Sequence, residues 1–401
     1  MKILKRITAI ILATSILVLG GCDNKTVNSS GSTESSKSVS DLSSNTVSES
    51  SQQEERKNEN TSTDADKNDF TALNKAVIQD MTRIDENTLL AIGQHNLVLV
   101  DTNTYKIFKE IPRTNNMSVQ KIDNGFVTID TRYESCSYDI YDTKGNITKH
   151  VDIPKRPLQG EELELGLPYT EIPTIETLKL RVSADGKNVF YFGDNGYCTN
   201  SIDLDNEIVI QPIENFNGGF EEFHKMSGAI LYKDDIVYGT TTKFNPKINN
   251  NEFFFASMNL KTNEWMIYCQ LNDDQQLFSH PSPFVDNSFI IVDAGADDRF
   301  TEGKLPYLIL DENELKEFTC EEGLESVRAF ISPNGKYILT TYTYTSEFGI
   351  PLDSEIKLYD VKTGEVLLKQ KFTHHAQTAY IDENIRKLYV VCGTEFSVFD
   401  F

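Results

Sequence analysis

Asp297, Asp298 and Arg299 stand side by side, four residues after Asp293, in one polar stretch of a 401-residue chain. Clustered carboxylates could hold Ca²⁺, which takes about six to eight oxygen ligands. The D-x-[DN]-x-[DN]-G spacing is not met. No metal is expected, and the three residues are read as polar contacts for a ligand. Arg132 beside Tyr133, and Tyr344 four residues before Phe348, pair a cation and aromatic faces that stack on sugars or peptides. His280, His374 and His375 are read as solvated loop residues, because adjacent imidazoles cannot easily both chelate one ion. Cys136, Cys198, Cys269, Cys320 and Cys392 are scattered, with no C-x-x-C pair, so buried free thiols are expected. There is no nucleophile motif and no phosphate loop. The candidate site is therefore Arg132, Tyr133, Asp297, Asp298, Arg299, Tyr344 and Phe348, with no catalytic residue and no cofactor.

The elements that must position these residues are short strands. Beyond residue 69 the chain alternates β-branched and aromatic runs with Asp/Asn/Gly turns, and no long amphipathic helix appears. Two kinds of turn alternate. The first recurs at Asp85, Asp123, Asp185, Asp234, Asp286, Asn334 and Asp382, a mean spacing of about 50 residues. The second follows a strand ending in Asp or Asn, as at Asp101, Asp142, Asn259, Asp360 and Asp400. Asp and Asn cap tight turns with their own side chains. Each repeat then holds four strands, A to D, with the first turn joining A to B and the second joining C to D. That is the pattern of a β-propeller blade. The last repeat runs out after strand C, and Phe70–Val77 reads as a spare strand that supplies its D. The expected fold is all-β, a seven-bladed propeller of four-stranded blades with the last blade closed by the N-terminal strand.

Two stretches carry a family resemblance. Phe330-Ile331-Ser332-Pro333-Asn334-Gly335-Lys336-Tyr337 and Leu358-Tyr359-Asp360-Val361-Lys362-Thr363-Gly364 resemble WD-repeat and YVTN-type bacterial propellers. The resemblance speaks for architecture and is nearly silent on activity. In such a ring the B–C and D–A connections share one face. The long connections expected at 154–177, 241–251, 294–304 and 343–354 all fall there, which makes that face the expected binding surface.

The N-terminus has Lys2, Lys5 and Arg6, then 13 apolar or small residues from Ile7 to Leu19. That run is short of the roughly 20 residues needed to span a bilayer and reads as an export signal. Leu19-Gly20-Gly21-Cys22 resembles the bacterial lipobox, which implies cleavage before Cys22 and acylation of its thiol. Residues 1–21 are then a signal peptide and 22–68 a Ser-rich tether ahead of the 69–401 propeller. The tether, 46 residues beyond Cys22, holds 13 serines and no aromatic residue, so it is read as disordered. Its r.m.s. span would be roughly 37 Å.

The formal charge is −23, which argues against nucleic-acid partners. The expected partners are the membrane, through the lipid anchor, and a protein or glycan; a monomer is expected. The expected location is the extracytoplasmic face of the cell membrane. A non-catalytic binding or scaffold role is favoured. The alternative is a propeller enzyme acting on carbohydrate or a lactone, such as a glycosidase, lyase or lactonase.

Overall fold

A computed structural model describes residues 69–132, 136–164, 170–193, 196–201, 223–271, 278–279, 284, 286–292, 304–312, 314–319, 327–345 and 351–401. Cys22 and the tether lie outside them. The described chain is a β-propeller. Blade 1 is β1 (Asp80–Arg83), β2 (Thr88–Ile92), β3 (Asn96–Asp101) and β4 (Ile107–Pro112). Blade 2 is β5 (Met117–Ile122), β6 (Gly125–Asp130), β7 (Ser137–Tyr141) and β8 (Ile147–Asp152). A separate two-stranded ribbon, β9 (Lys155–Pro157) with β10 (Glu171–Pro173), follows. Blade 3 is described through three strands, β11 (Leu180–Val182), β12 (Asn188–Gly193) and β13 (Gly196–Ser201). Blade 4 is β14 (Phe223–Lys233), β15 (Ile236–Asn245), β16 (Asn250–Asn259) and β17 (Trp265–Leu271). Blade 5 is β18 (Phe278–Ser279), β19 (Ser288–Val292), β20 (Lys304–Ile309) and β21 (Glu314–Thr319). Blade 6 is β22 (Val327–Ile331), β23 (Tyr337–Thr345), β24 (Pro351–Asp360) and β25 (Val366–Phe372). A closing sheet of three strands ends the chain: β26 (Ala376–Asp382), β27 (Lys387–Cys392) and β28 (Glu395–Asp400).

The expectation of seven four-stranded blades is corrected: six blades precede a three-stranded closing sheet. Phe70–Val77 is not its missing strand. Thr71–Ala76 form a helix, α1, which Val77 ends in a left-handed conformation. A strand would alternate its side chains and lie along β28. The helix instead buries Leu73, and Phe70 sets its ring edge-on to Tyr105 and Phe396 at 5.5 and 5.3 Å. Asn74 Oδ1 accepts the outward N–H of Phe396 at 2.9 Å. The closure is thus a helical plug, and covering a sheet edge with a helix is a recognised way to blunt it.

Burial explains the strand composition. The second strands of blades are covered on both faces, so TLLAI in β2 and LYVVC in β27 read as unbroken apolar runs. The outermost strands are largely exposed, and β4, β8 and β25 carry Lys, Glu and His there. Lysine on an outer edge discourages pairing with other chains. Apolar clusters join each sheet to the next, and Met81, Leu89, Tyr389 and Val391 join the closing sheet back to blade 1.

The Asp-terminated strands behave as expected. Asp101 Oδ1 accepts the backbone N–H of Asn103 and Thr104, and Asp360 Oδ1 that of Lys362 and Thr363. Asp142 does the same for Lys144 and Asn146. These donors hold all three carboxyls below their ordinary values. A lowered folded-state pKa contributes stability above the unfolded value, lost as pH falls through the folded one. The melting temperature should therefore be flat from pH 7 to 5 with respect to these groups and fall below about pH 4. Asp360→Asn should blunt that acid slope; an identical slope would show that the turn carboxylates do not set it.

Candidate functional site

On the A–B/C–D face the turns bind one another. Ala184 N–H donates to Tyr232 O and Asp123 N–H to Ala184 O, both at 2.7 Å. Ser288 Oγ donates to Ser332 O at 2.5 Å, and Asn334 N–H to Glu383 Oε1 at 2.9 Å. The connection from β18 to β19 reaches away from its own blade. Phe284 is buried with Ile84, Leu90 and Phe126 of blades 1 and 2, and Asp286 pairs with Lys121 of blade 2. Beside it lies a shallow depression, lined by Thr82, Phe284, Asp286, Ser288 and Tyr380 among others. Its carboxylate is already neutralised by Lys121. Burial, then Asp286 and Asp382, push the Tyr380 phenol well above its ordinary value, so it stays protonated at neutral pH. Neither group is set up as a base.

The B–C/D–A face projects instead. β15 and β16 stay in register out to Asn245 opposite Asn250, so the long connection expected at 241–251 is mostly hairpin. Its tip exposes Phe244 at 46% and Ile248 at 50%. The connection expected at 343–354 is likewise strand at both ends, with Thr345 opposite Pro351. The connection expected at 154–177 contains the β9–β10 ribbon and a one-turn helix, α2 (Glu161–Glu164). Arg156 holds Glu162 with two bonds of 2.7 Å across that connection.

Of the expected site residues, Arg132 follows β6, where its Nε and Nη2 grip Asp130 at 3.0 and 2.6 Å. Its charge is committed inside the protein while its side chain remains 39% exposed. Tyr344 lies within β23, where the register slips between Thr343–Ser354 and Thr345–Pro351. Tyr133, Asp297, Asp298, Arg299 and Phe348 lie outside the described residues, as does Cys22. Of the expected set, the structure describes Arg132 and Tyr344. His375 is held below its ordinary pKa by burial, then by Arg328 and His374. Cys136, Cys269 and Cys392 are free, and burial pushes the last two thiols up to about 11 and about 12. That disfavours the reactive thiolate. Among the described residues no cluster of His, Cys, Asp or Glu could hold a metal ion.

Sequence reading missed Arg181. β11 alternates Leu180 and Val182, which enter the cluster between blades 2 and 3, with Arg181 pointing the other way. Its Nη1 donates to Leu178 O at 2.9 Å and Leu180 O at 2.7 Å, and its guanidinium lies 5.7 Å from the centre of the Phe192 ring. Burial pushes its pKa down to about 10. The available signal was a cation at the middle of an apolar three-residue strand.

No family model matches the chain, and no curated protein matches it. Among solved structures it is similar to the β-propeller domain of Cps50 (Swd1) from Myceliophteria thermophila, at 9% identity and a TM-score of 0.46, covering 81% of this chain and 97% of that one. It is also similar to hydrazine synthase from Kuenenia stuttgartiensis, at 9% identity and a TM-score of 0.45, covering 81% and 96%. Similarity at this level says nothing of activity.

Proposed function

We propose that this chain is an exported lipoprotein whose propeller is a non-catalytic binding or scaffold module. Cys22 anchors it to the extracytoplasmic face of the cell membrane, and the B–C/D–A face engages a protein or glycan. The anchor rests on the basic, apolar and Gly-Gly-Cys segments of residues 1–22 and on the Ser-rich spacer after them. The observation that carries the binding role is the projecting β15–β16 hairpin of the B–C/D–A face, whose tip leaves Phe244 and Ile248 uncovered. Exposed apolar side chains at a projecting tip are where a partner gains most by excluding water.

Cys22→Ser should move the protein from the membrane to the soluble fraction and remove the acyl mass from its N-terminal peptide. Retention on the membrane would overturn the anchor. With the anchor intact, partner capture from envelope extracts by cross-linking should fall at least about tenfold for the Phe244→Asp, Ile248→Asp double variant. Two lost apolar contacts at about 1.5 to 3 kcal/mol each would suffice. Undiminished capture would remove the hairpin from the binding surface.

A further inference from the structure

Arg181 is held deep in the ring. Among the described arginines, Arg83, Arg132 and Arg156 each hold a carboxylate, whereas Arg113 donates to Gln79 Oε1 and Gly93 O. Arg181 pairs with no carboxylate among the described residues, although the chain carries 61 Asp and Glu. A desolvated guanidinium with no carboxylate among the described residues is costly to keep. A merely structural role for its two hydrogen bonds would be filled as well by a neutral donor. Both bonds leave from Nη1, so the Nε–Nη2 edge of the fork is not used by them. That edge is the one that receives a carboxylate through two parallel bonds. As a whole residue Arg181 is only partly covered, while its guanidinium is desolvated. β11 is the innermost strand of blade 3, and Arg181 comes two residues after Lys179, the last residue of the 3-10 turn Thr177–Lys179, on the D–A side.

We propose that Arg181 anchors a carboxylate-binding site between blades 3 and 4, opening on the B–C/D–A face. The ligand is a monoanion with an apolar or sugar body. One guanidinium balances one charge, and a chain of −23 repels multivalent anions. The Phe192 ring beside the guanidinium offers the body a stacking surface. The proposal deepens the binding-module reading by giving that face a ligand class. Its failure is separable, because it is read without the hairpin, the anchor or a partner.

The test is thermal melting of the full chain in chloride, acetate, glucuronate and phosphate at matched ionic strength. Wild type should melt higher in acetate and glucuronate than in chloride, in a saturable way. Arg181→Met should melt higher than wild type in chloride, because the uncompensated charge is gone, and should lose the carboxylate response. Arg181→Lys, which keeps the charge without the fork, should retain only part of that response. Indistinguishable wild-type melts in acetate, glucuronate and chloride overturn the site, and need no variant to fold. Stabilisation by phosphate alone overturns the ligand class. A carboxylate response that survives in Arg181→Met overturns the anchor.

Discussion

Gly125→Ala is expected to abolish soluble folded protein, or to lower the melting temperature by well over 10 °C. Gly125 opens β6 at φ +149°, a backbone conformation that residues with a Cβ rarely adopt. A Cβ added there would sit 1.9 Å from the Tyr141 carbonyl oxygen and 3.0 Å from its carbon. These are backbone atoms of the neighbouring strand β7, so no rotamer change relieves the contact. Phe126, the next residue, stacks on Tyr141 with ring centroids 4.7 Å apart, and both belong to the cluster between blades 1 and 2. Moving β7 to admit a methyl group would therefore open a core. Strain and core disruption together are expected to exceed about 4 kcal/mol, the exceptional end of single substitutions. Gly364→Ala is the control: it has a positive φ, but nothing lies within 4 Å of the added Cβ, so it should lose only the backbone cost of about 1 to 2 kcal/mol. Circular dichroism melts of the two variants compare them directly. A Gly125→Ala protein as stable as the Gly364→Ala control would show that β6 and β7 can separate cheaply.

The same turn shows why the fold was legible. Asp123-Asn124-Gly125 announces a tight A–B turn by residue type, and the chain makes one. Strand-terminal Asp101, Asp142 and Asp360 announce the C–D turns by an equally local rule, the side chain reaching back to N–H groups two to four residues on. Local chemistry repeated at a fixed period yields a propeller without knowledge of any long-range contact. Ring closure is different. Phe70–Val77 has the composition of a strand, yet Thr71–Ala76 is helical because Leu73 gains a buried place and Asn74 caps Phe396, 322 residues away. Tertiary contacts of that separation override propensity. The same holds for the connection before β19: Phe284 looks like one more A-strand residue but is buried against Ile84 and Phe126 of other blades. Of the candidate site only Arg132 and Tyr344 are among the described residues. Arg132 is held by Asp130, two residues earlier, a pairing that adjacency in sequence does not announce. Arg181, sequestered in a three-residue strand, was passed over for being surrounded by apolar neighbours.

Arg83→Ala should cost about 3 to 5 kcal/mol, the usual penalty for breaking a buried ion pair from one side. Arg83 Nη1 meets Asp382 Oδ2 at 2.5 Å, with side-chain exposures of 11% and 1%. The pair joins β1 to β26 across the seam between the first blade and the closing sheet, 299 residues apart in sequence. Arg83 also anchors its own turn, with Nε donating to Asp85 O at 2.7 Å and Nη2 to Glu86 O at 2.5 Å. Asp382 Oδ1 accepts the N–H of Asn384 and Ile385, so each partner also orders one A–B turn. Truncating Arg83 leaves a carboxylate oxygen in a desolvated place with no cation opposite. Asp382→Asn removes the negative charge, retains an oxygen for the turn, and should cost less. In the Arg83→Ala, Asp382→Asn double variant the orphaned charge is absent, so the combined loss should fall below the sum of the single losses by about 1 to 3 kcal/mol. Denaturant unfolding of the four proteins closes the cycle. Additive losses would mean that the ion pair contributes only to its separate turns, and that the seam is held by its apolar cluster, by α1 and by hydrogen bonds such as Thr378 Oγ1 to Asp80 Oδ1 at 3.2 Å.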